Sequence, residues 1–358
     1  MSNNNTVEVN KEEALPLDKL MQYLYENELV IDPKSKLETK RFAGGLSNLT
    51  YLLQVENKEY VLRRPPFGAV KRGHDMEREF KVLSNLKNEF SKIPKVHFFN
   101  HDDSVIGSSF YIMDKSDGII LNLKEAKNRN ISENEFKIIS NTWLNTFVEL
   151  HGVNYKAAGL EDLGKPEGYV ERQITNWAKQ YNKAKTEEIP ESENVIRWLH
   201  AKQPKQYEFS LIHNDFKYDN MMFKDNTWEE INTVLDWEMC TLGDPLMDLG
   251  TSLSYWVTED DLDPLKKGLA SPTIMKGNPS RLEIVEMYSK KSGESINNLV
   301  FYYVYGLFKL AVIVQQIYFR YHSGYTTDKR FAHMNKHTQL LFTIAWQAIQ
   351  RNKIDKLF

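Results

Sequence analysis

The amino-acid sequence predicts an α+β fold in two lobes, β-rich towards the N-terminus and mainly helical after it, with a cleft between them. Three observations carry this reading. Short alternating apolar runs crowd residues 37–114, Asp117 and Gly118 break that pattern, and apolar residues then recur at helical spacing through most of the remainder. With 358 residues, 41% hydrophobic and 27% charged, the chain has the length and composition for a sizeable core. Its net charge of −3 gives no support for a nucleic-acid partner held by a basic field. The single cysteine, Cys240, excludes a disulfide framework or a cysteine zinc site within one chain. No apolar run follows a basic start, so cytoplasm is the expected compartment. The most apolar stretch, 304–319, contains Lys309, Gln315 and Gln316; it reads as too short and too polar to span a bilayer, and no membrane partner is expected.

Taken in order, residues 1–14 are rich in Asn, Glu and Lys and read as a flexible tail. Residues 16–29 read as an amphipathic helix with Leu20 and Leu24 on one side. Strands are expected at 37–43, 49–55 and 60–63, the last two joined by a tight turn at Asn57-Lys58. A helix at 74–90 and strands at 95–99 and 109–114 complete an N-terminal lobe over 15–116. In the second lobe, 117–358, Phe136, Ile139, Trp143, Phe147 and Leu150 mark a buried helix by their spacing. A helical insert is expected over 167–203, short strands within 209–236, and long helices at about 245–256, 281–291, 296–321 and 329–351.

The residues with chemical content lie at the short strands. His213, Asp215 and Asn220 sit between apolar runs, and a further apolar pair closes on Asp236. Phosphoryl transfer from ATP by a protein-kinase-like site needs an Asp to orient the acceptor hydroxyl, an Asn for one magnesium and a second Asp for the metal bridging the phosphates. Asp215 is the expected base or orienting group. Asn220 and Asp236 offer the hard oxygens that magnesium prefers. His213 reads as a scaffold residue bonded to loop backbone. Downstream, Asp244 precedes Pro245 as an N-cap would, and Asp248 follows one turn later; both read as supports. Glu238 fits either the metal's outer shell or a backbone hydrogen bond. Upstream, Gly44 and Gly45, followed by Ser47 and Asn48, lie between two strands, where glycine lets amides approach phosphates. Arg63 shares a strand face with Val61, and its guanidinium suits phosphate oxygens. On the 74–90 helix Met76, Phe80, Leu83 and Phe90 share one side. Glu79 falls on that apolar side and so calls for a cation, for which Arg63 is the natural candidate.

Several motifs together resemble a known family. They are Gly44-Gly45-Leu46-Ser47-Asn48-Leu49-Thr50-Tyr51, Leu62-Arg63-Arg64-Pro65-Pro66, Met113-Asp114-Lys115-Ser116-Asp117-Gly118, the His213 loop, Leu235-Asp236-Trp237-Glu238, and Gly243-Asp244-Pro245 through Asp248-Leu249-Gly250. The chain resembles the aminoglycoside phosphotransferase-like, or choline-kinase-like, branch of the protein-kinase fold, within it the group related to kinase domains fused to some acyl-CoA dehydrogenases. That resemblance implies a hinge over Met113–Asp117 with backbone at Asp114 and Ser116 contacting adenine, catalysis by Asp215, and magnesium on Asn220 and Asp236. Two departures stand out: Asn214 where glycine is more frequent, and Arg63 where many relatives carry lysine. The implied acceptor is a small molecule with a hydroxyl group, such as a hydroxyacyl-CoA or related metabolite, bound near Tyr255, Trp256 and the connector 259–280. An aminoglycoside kinase is the alternative, since residues 258–263 are acidic. A nucleotide-binding module without turnover would be expected to lack an Asp or Asn of the loop, and this chain keeps them all.

Overall fold

In the N-terminal lobe, alternate residues of each strand meet two different neighbours. The computed structural model describes residues 6–10, 13–42, 48–66, 76–205 and 208–358. Strand β1 (Thr6–Val7) and helix α1 (Leu17–Glu26) precede β2 (Glu38–Phe42), β3 (Leu49–Val55), β4 (Lys58–Arg64), helix α2 (Met76–Leu86), β5 (Val96–Asn100) and β6 (Phe110–Asp114). The six strands form one antiparallel sheet in the order β1-β2-β3-β4-β6-β5. Leu53, Tyr60, Leu62, Phe110 and Ile112 pack towards α1 and its Leu20 and Leu24. Val61, Tyr111 and Met113, one residue out of phase, join the core shared with α2 and the second lobe.

Two details differ from expectation. The β3–β4 turn is Glu56-Asn57, both at positive φ, rather than Asn57-Lys58, because Val55 already pairs with Lys58. The expected tail is partly tied down: Thr6 and Val7 pair with Phe42 and Arg41, and Glu13 salt-bridges Arg41 at 2.9 Å.

In the second lobe, β7 (Ile119–Ile120) pairs with a strand more than a hundred residues away. Helix α3 (Leu123–Asn128) and helix α4 (Glu133–His151) follow, the latter opened by a Ser132/Glu135 capping box. The insert is a pair of helices, α5 (Tyr169–Ala184) and α6 (Pro190–Lys202). Strands β8 (Ser210–Ile212), β9 (Met221–Phe223), β10 (Ile231–Val234) and β11 (Thr241–Gly243) form two small sheets, β10-β9-β7 and β11-β8. Helices α7 (Pro245–Tyr255), α8 (Asp263–Leu269), α9 (Arg281–Ser292), α10 (Leu299–His322) and α11 (Met334–Arg351) complete the chain.

Helix α10 has 24 residues and is long and apolar enough to cross a bilayer, more so than its 304–319 portion suggested. Most of it is buried, against α5, α7 and α11. Its crossing with α7 brings the two backbones into contact. A Cβ on Gly250 would collide with the Tyr302 carbonyl, and one on Gly306 with the Gly250 carbonyl. Only residues without a side chain allow that approach.

Candidate active site

Two short strand pairs bring distant pieces of chain together. Pairing of β9 with β10 sets Met221 opposite Val234, and pairing of β8 with β11 sets Ile212 opposite Thr241. The turns that follow β8 and β10 therefore lie side by side. The Leu235 N–H donates to the Asn220 carbonyl at 2.8 Å, and His213 Nε2 reaches the Leu235 carbonyl at 3.0 Å. Facing a carbonyl, Nε2 must carry the proton, which leaves Nδ1 to accept the Asp215 N–H at 3.3 Å. Burial pushes the His213 pKa down, so the ring is a neutral brace between the two loops.

The Asp215 carboxylate accepts from Lys217 Nζ at 2.8 and 2.9 Å and from Asn220 Nδ2 at 2.8 Å. Asn220 Nδ2 also reaches the Asp215 carbonyl at 2.8 Å, so its amide oxygen is the atom left to a ligand. Lys217 lies over the Tyr255 ring at 4.7 Å. Burial works against its charge, but Tyr255 and Asp215 outweigh burial and raise its pKa.

Asp236 follows β10 in the left-handed region, φ 67°, with its side chain 36% exposed. Its Oδ1 is 3.4 Å from Arg63 Nη2, while Arg63 Nη1 is 2.5 Å from Glu79 Oε1. The pairing expected from the apolar stripe of α2 is thus formed: Glu79 is 1% exposed, and Arg63 bridges it to Asp236. Burial pushes the Glu79 carboxyl up, and Arg63 opposes this. Between the lobes lies a cavity of about 340 Å³ bounded by Val61, Arg63, Met113, Ser116, Asn220 and Asp236, among others.

The remaining expected residues divide. Gly44, Gly45 and Ser47 lie outside the described residues. Asn48 is buried, and its Nδ2 donates to Glu238 Oε2 at 2.8 Å, a link between the lobes. Asp114 borders the cavity, but its N–H is engaged by the Lys95 carbonyl at 2.8 Å and its carboxylate by His97 at 2.6 Å. Its N–H and Oδ1 are therefore taken, while the side chain stays 43% exposed. Trp256, expected beside an acceptor, is instead buried beneath the connector, with Nε1 bonded to the Pro279 carbonyl at 2.8 Å. Tyr255 is the half-buried member of that pair.

Asp244 caps α7, accepting the Leu246 N–H at 2.8 Å. Burial pushes its pKa up to about 7. A carboxyl at about 3.9 when unfolded and near 7 when folded contributes stability fully present below pH 4 and lost as pH rises through 7. Asparagine caps equally well and does not ionise. Asp244→Asn should therefore lack the stability loss between pH 4 and 7, and so unfold later than wild type at pH 8 by a few kcal/mol. Urea unfolding at pH 4.5 and pH 8 measures this; an unchanged pH dependence in the variant would refute it.

Asp248, one turn further, holds the loop itself. It accepts the His213 and Asn214 N–H groups at 2.6 and 2.8 Å and lies 3.3 Å from His151 Nε2. Burial alone would raise its pKa, but the His151 hydrogen bond and the Lys309 charge hold it low. Asn214 explains its departure from glycine. It has φ 68°, a region asparagine tolerates, and its Nδ2 reaches the Met239 carbonyl at 3.1 Å. Sequence reasoning missed Lys217, Lys309 and His151. Only Lys217, two residues after Asp215, left a readable signal.

A family described as "Phosphotransferase enzyme family" matches residues 38–283. The chain is 33% identical over 346 residues to acyl-CoA dehydrogenase family member 10 of Mus musculus, covering 96% of this chain and 32% of that protein. It spans about a third of the length of that relative. Among solved structures, a Ralstonia eutropha protein described as a candidate aminoglycoside phosphotransferase superposes with a TM-score of 0.78 at 28% identity, covering 94% of this chain and 99% of that one. A ternary complex of an aminoglycoside phosphotransferase with streptomycin and ATP gives 0.55 at 18% identity, covering 86% and 91%, and shows the fold alone. The fold is the two-lobed, protein-kinase-like one.

Proposed function

We propose that this chain, which belongs to the phosphotransferase enzyme family, is a small-molecule kinase that moves the γ-phosphoryl group of ATP to an acceptor hydroxyl with magnesium. The observation that carries the reading is the gathering of Asp215, Asn220 and Asp236 around one loop pair, with the Arg63–Glu79 pair across the cavity.

The donor set fits magnesium. Asp236 supplies a charged oxygen and Asn220 a neutral one, and two protein oxygens leave places for phosphate and water. Held there, magnesium would supply positive charge to offset that of the phosphates. Arg63, held by Glu79, presents a permanent positive charge to the phosphates. Met113, Asp114 and Ser116 at the exit of strand β6 would hold the adenine; a phosphate-binding role for Gly44, Gly45 and Ser47 rests on the sequence motif alone. Asp215 accepts the hydrogen bond of the acceptor hydroxyl and orients it. The acceptor oxygen bonds to γ-phosphorus as the bond from that phosphorus to the ADP oxygen breaks, and the hydroxyl proton passes to Asp215. Lys217, two residues on, offsets charge on the moving phosphoryl group.

For the acceptor, a hydroxyacyl-CoA or related hydroxylated metabolite fits best. A groove of about 1560 Å³ borders the connector; Asp215, Lys217 and Tyr255 do not line it, and its link to the loop is Asn278, which accepts from the buried Tyr218 OH at 2.9 Å. That volume exceeds the roughly 300–1,000 Å³ usual for small-ligand clefts and suits a long acceptor. The naming of the mouse relative points the same way. Of the acidic residues that could attract an aminoglycoside, Asp261 is engaged by Arg281 at 2.5 Å and Asp263 by Lys266 at 2.8 Å, while Glu259 and Asp260 are exposed and line the groove. The reading invokes neither nucleic acid nor membrane, and places the enzyme in the cytoplasm.

Magnesium-dependent ADP release by purified protein should rise with hydroxyacyl-CoA esters above simple alcohols and aminoglycosides. Stimulation by kanamycin-like acceptors alone would overturn the acceptor class. No ADP release with any acceptor, together with no MgATP binding, would overturn the kinase reading.

A further inference from the structure

Lys309 is a buried cation with no part in the transfer just described. It lies in the middle of α10, 2% exposed, yet its Nζ donates to the Asn214 main-chain carbonyl at 2.8 Å and to Asn214 Oδ1 at 3.0 Å. A lysine among apolar residues is costly unless its donors are matched. The residue before Asp215 supplies two acceptors. Asp248 of α7 lies on the other side and binds the N–H groups of His213 and Asn214. The loop backbone is thus gripped from two helices, its N–H groups by a carboxylate and its carbonyl by an ammonium. Both charges arrive through the Gly250–Gly306 crossing: Asp248 is two residues before one glycine, and Lys309 three after the other.

A peptide group is planar, so fixing the Asn214 carbonyl also fixes the N–H of Asp215. That N–H points at His213 Nδ1, and the Cα it leads to carries the carboxylate. We infer that Lys309 is a positioning residue for Asp215, acting through the Asn214–Asp215 peptide plane, and that Asn214 replaces glycine here to give the ammonium its second acceptor. The inference rests on the kinase reading for its effect on turnover, but not for its effect on the loop.

Lys309→Met keeps the length of the side chain and removes its donors. In the full-length variant the amides of Asn214 and Asp215 should exchange hydrogen at least tenfold faster, with exchange across α4 and α11 unchanged. MgATP hydrolysis without added acceptor should lose tenfold or more in kcat, with the nucleotide KM within twofold. Asn214→Gly folds readily, because glycine takes φ 68° freely. It should lose three- to tenfold in kcat, and adding it to Lys309→Met should cost little more. Loop exchange and kcat within twofold of wild type in folded Lys309→Met would overturn the inference. So would faster exchange throughout the protein, which marks a purely structural lysine. If Lys309→Met yields no folded protein, undiminished kcat and loop protection in Asn214→Gly overturn it. Wild-type protein that binds no MgATP and releases no ADP with any acceptor would count against the kinase reading, while the exchange comparison would still decide the role of Lys309.

Discussion

Asp215→Asn is expected to lower kcat by about a thousandfold, within the 10²–10⁴ range of a positioned general base, and to leave MgATP affinity within about twofold. The separation follows from where Asp215 stands. Its carboxylate is held by Lys217 and Asn220, whereas Arg63, Asn220 and Asp236 border the cavity. Asparagine keeps the shape and one acceptor oxygen. It loses the ability to take a proton and the ion pair with Lys217. ADP release gives kcat, and titration calorimetry with MgATP gives the affinity. A variant as active as wild type would remove Asp215 from the chemistry. One that no longer bound nucleotide would make it a structural residue instead.

The second large effect is expected at Asp236. Asparagine, like aspartate, tolerates the left-handed backbone at φ 67°, so Asp236→Asn removes charge with little strain. It should lower kcat about a hundredfold or more and raise the magnesium concentration needed for half-maximal rate about tenfold or more, since changing even an outer-shell partner of a metal ligand costs roughly 10–100-fold. Arg63 keeps its contact with Glu79, so thermal stability should change little. A magnesium titration of ADP release checks this. An unshifted magnesium requirement would mean that Asp236 serves only to steady Arg63.

Much of the candidate site's geometry was legible because its residues are close in sequence and of unusual type for their surroundings. Asp215 and Asn220 are five apart on one turn. Glu79 on an apolar helix side announced a cation, and Arg63, sixteen residues back, met it. Phe136 through Leu150 wrote their helix in a single period, and all five are fully buried. What stayed hidden depended on contacts between distant segments. Strand β7 has two residues and exists only because β9 pairs with it. Thr6–Val7 is a strand only because β2 offers an open edge. The hairpin turn moved one residue because register with β4, rather than residue type, decided it. Lys309 gave no hint of its partner, 95 positions away.

The close crossing of α7 and α10 carries a consequence for natural and laboratory variation. In a survey of every substitution at every position, Gly250 and Gly306 should tolerate nothing larger, even alanine, although neither lines the cleft. A single added methyl would wedge the two helices apart and shift Asp248 and Lys309 together. Inactivating variants should therefore cluster at a helix crossing that lines no part of the cleft.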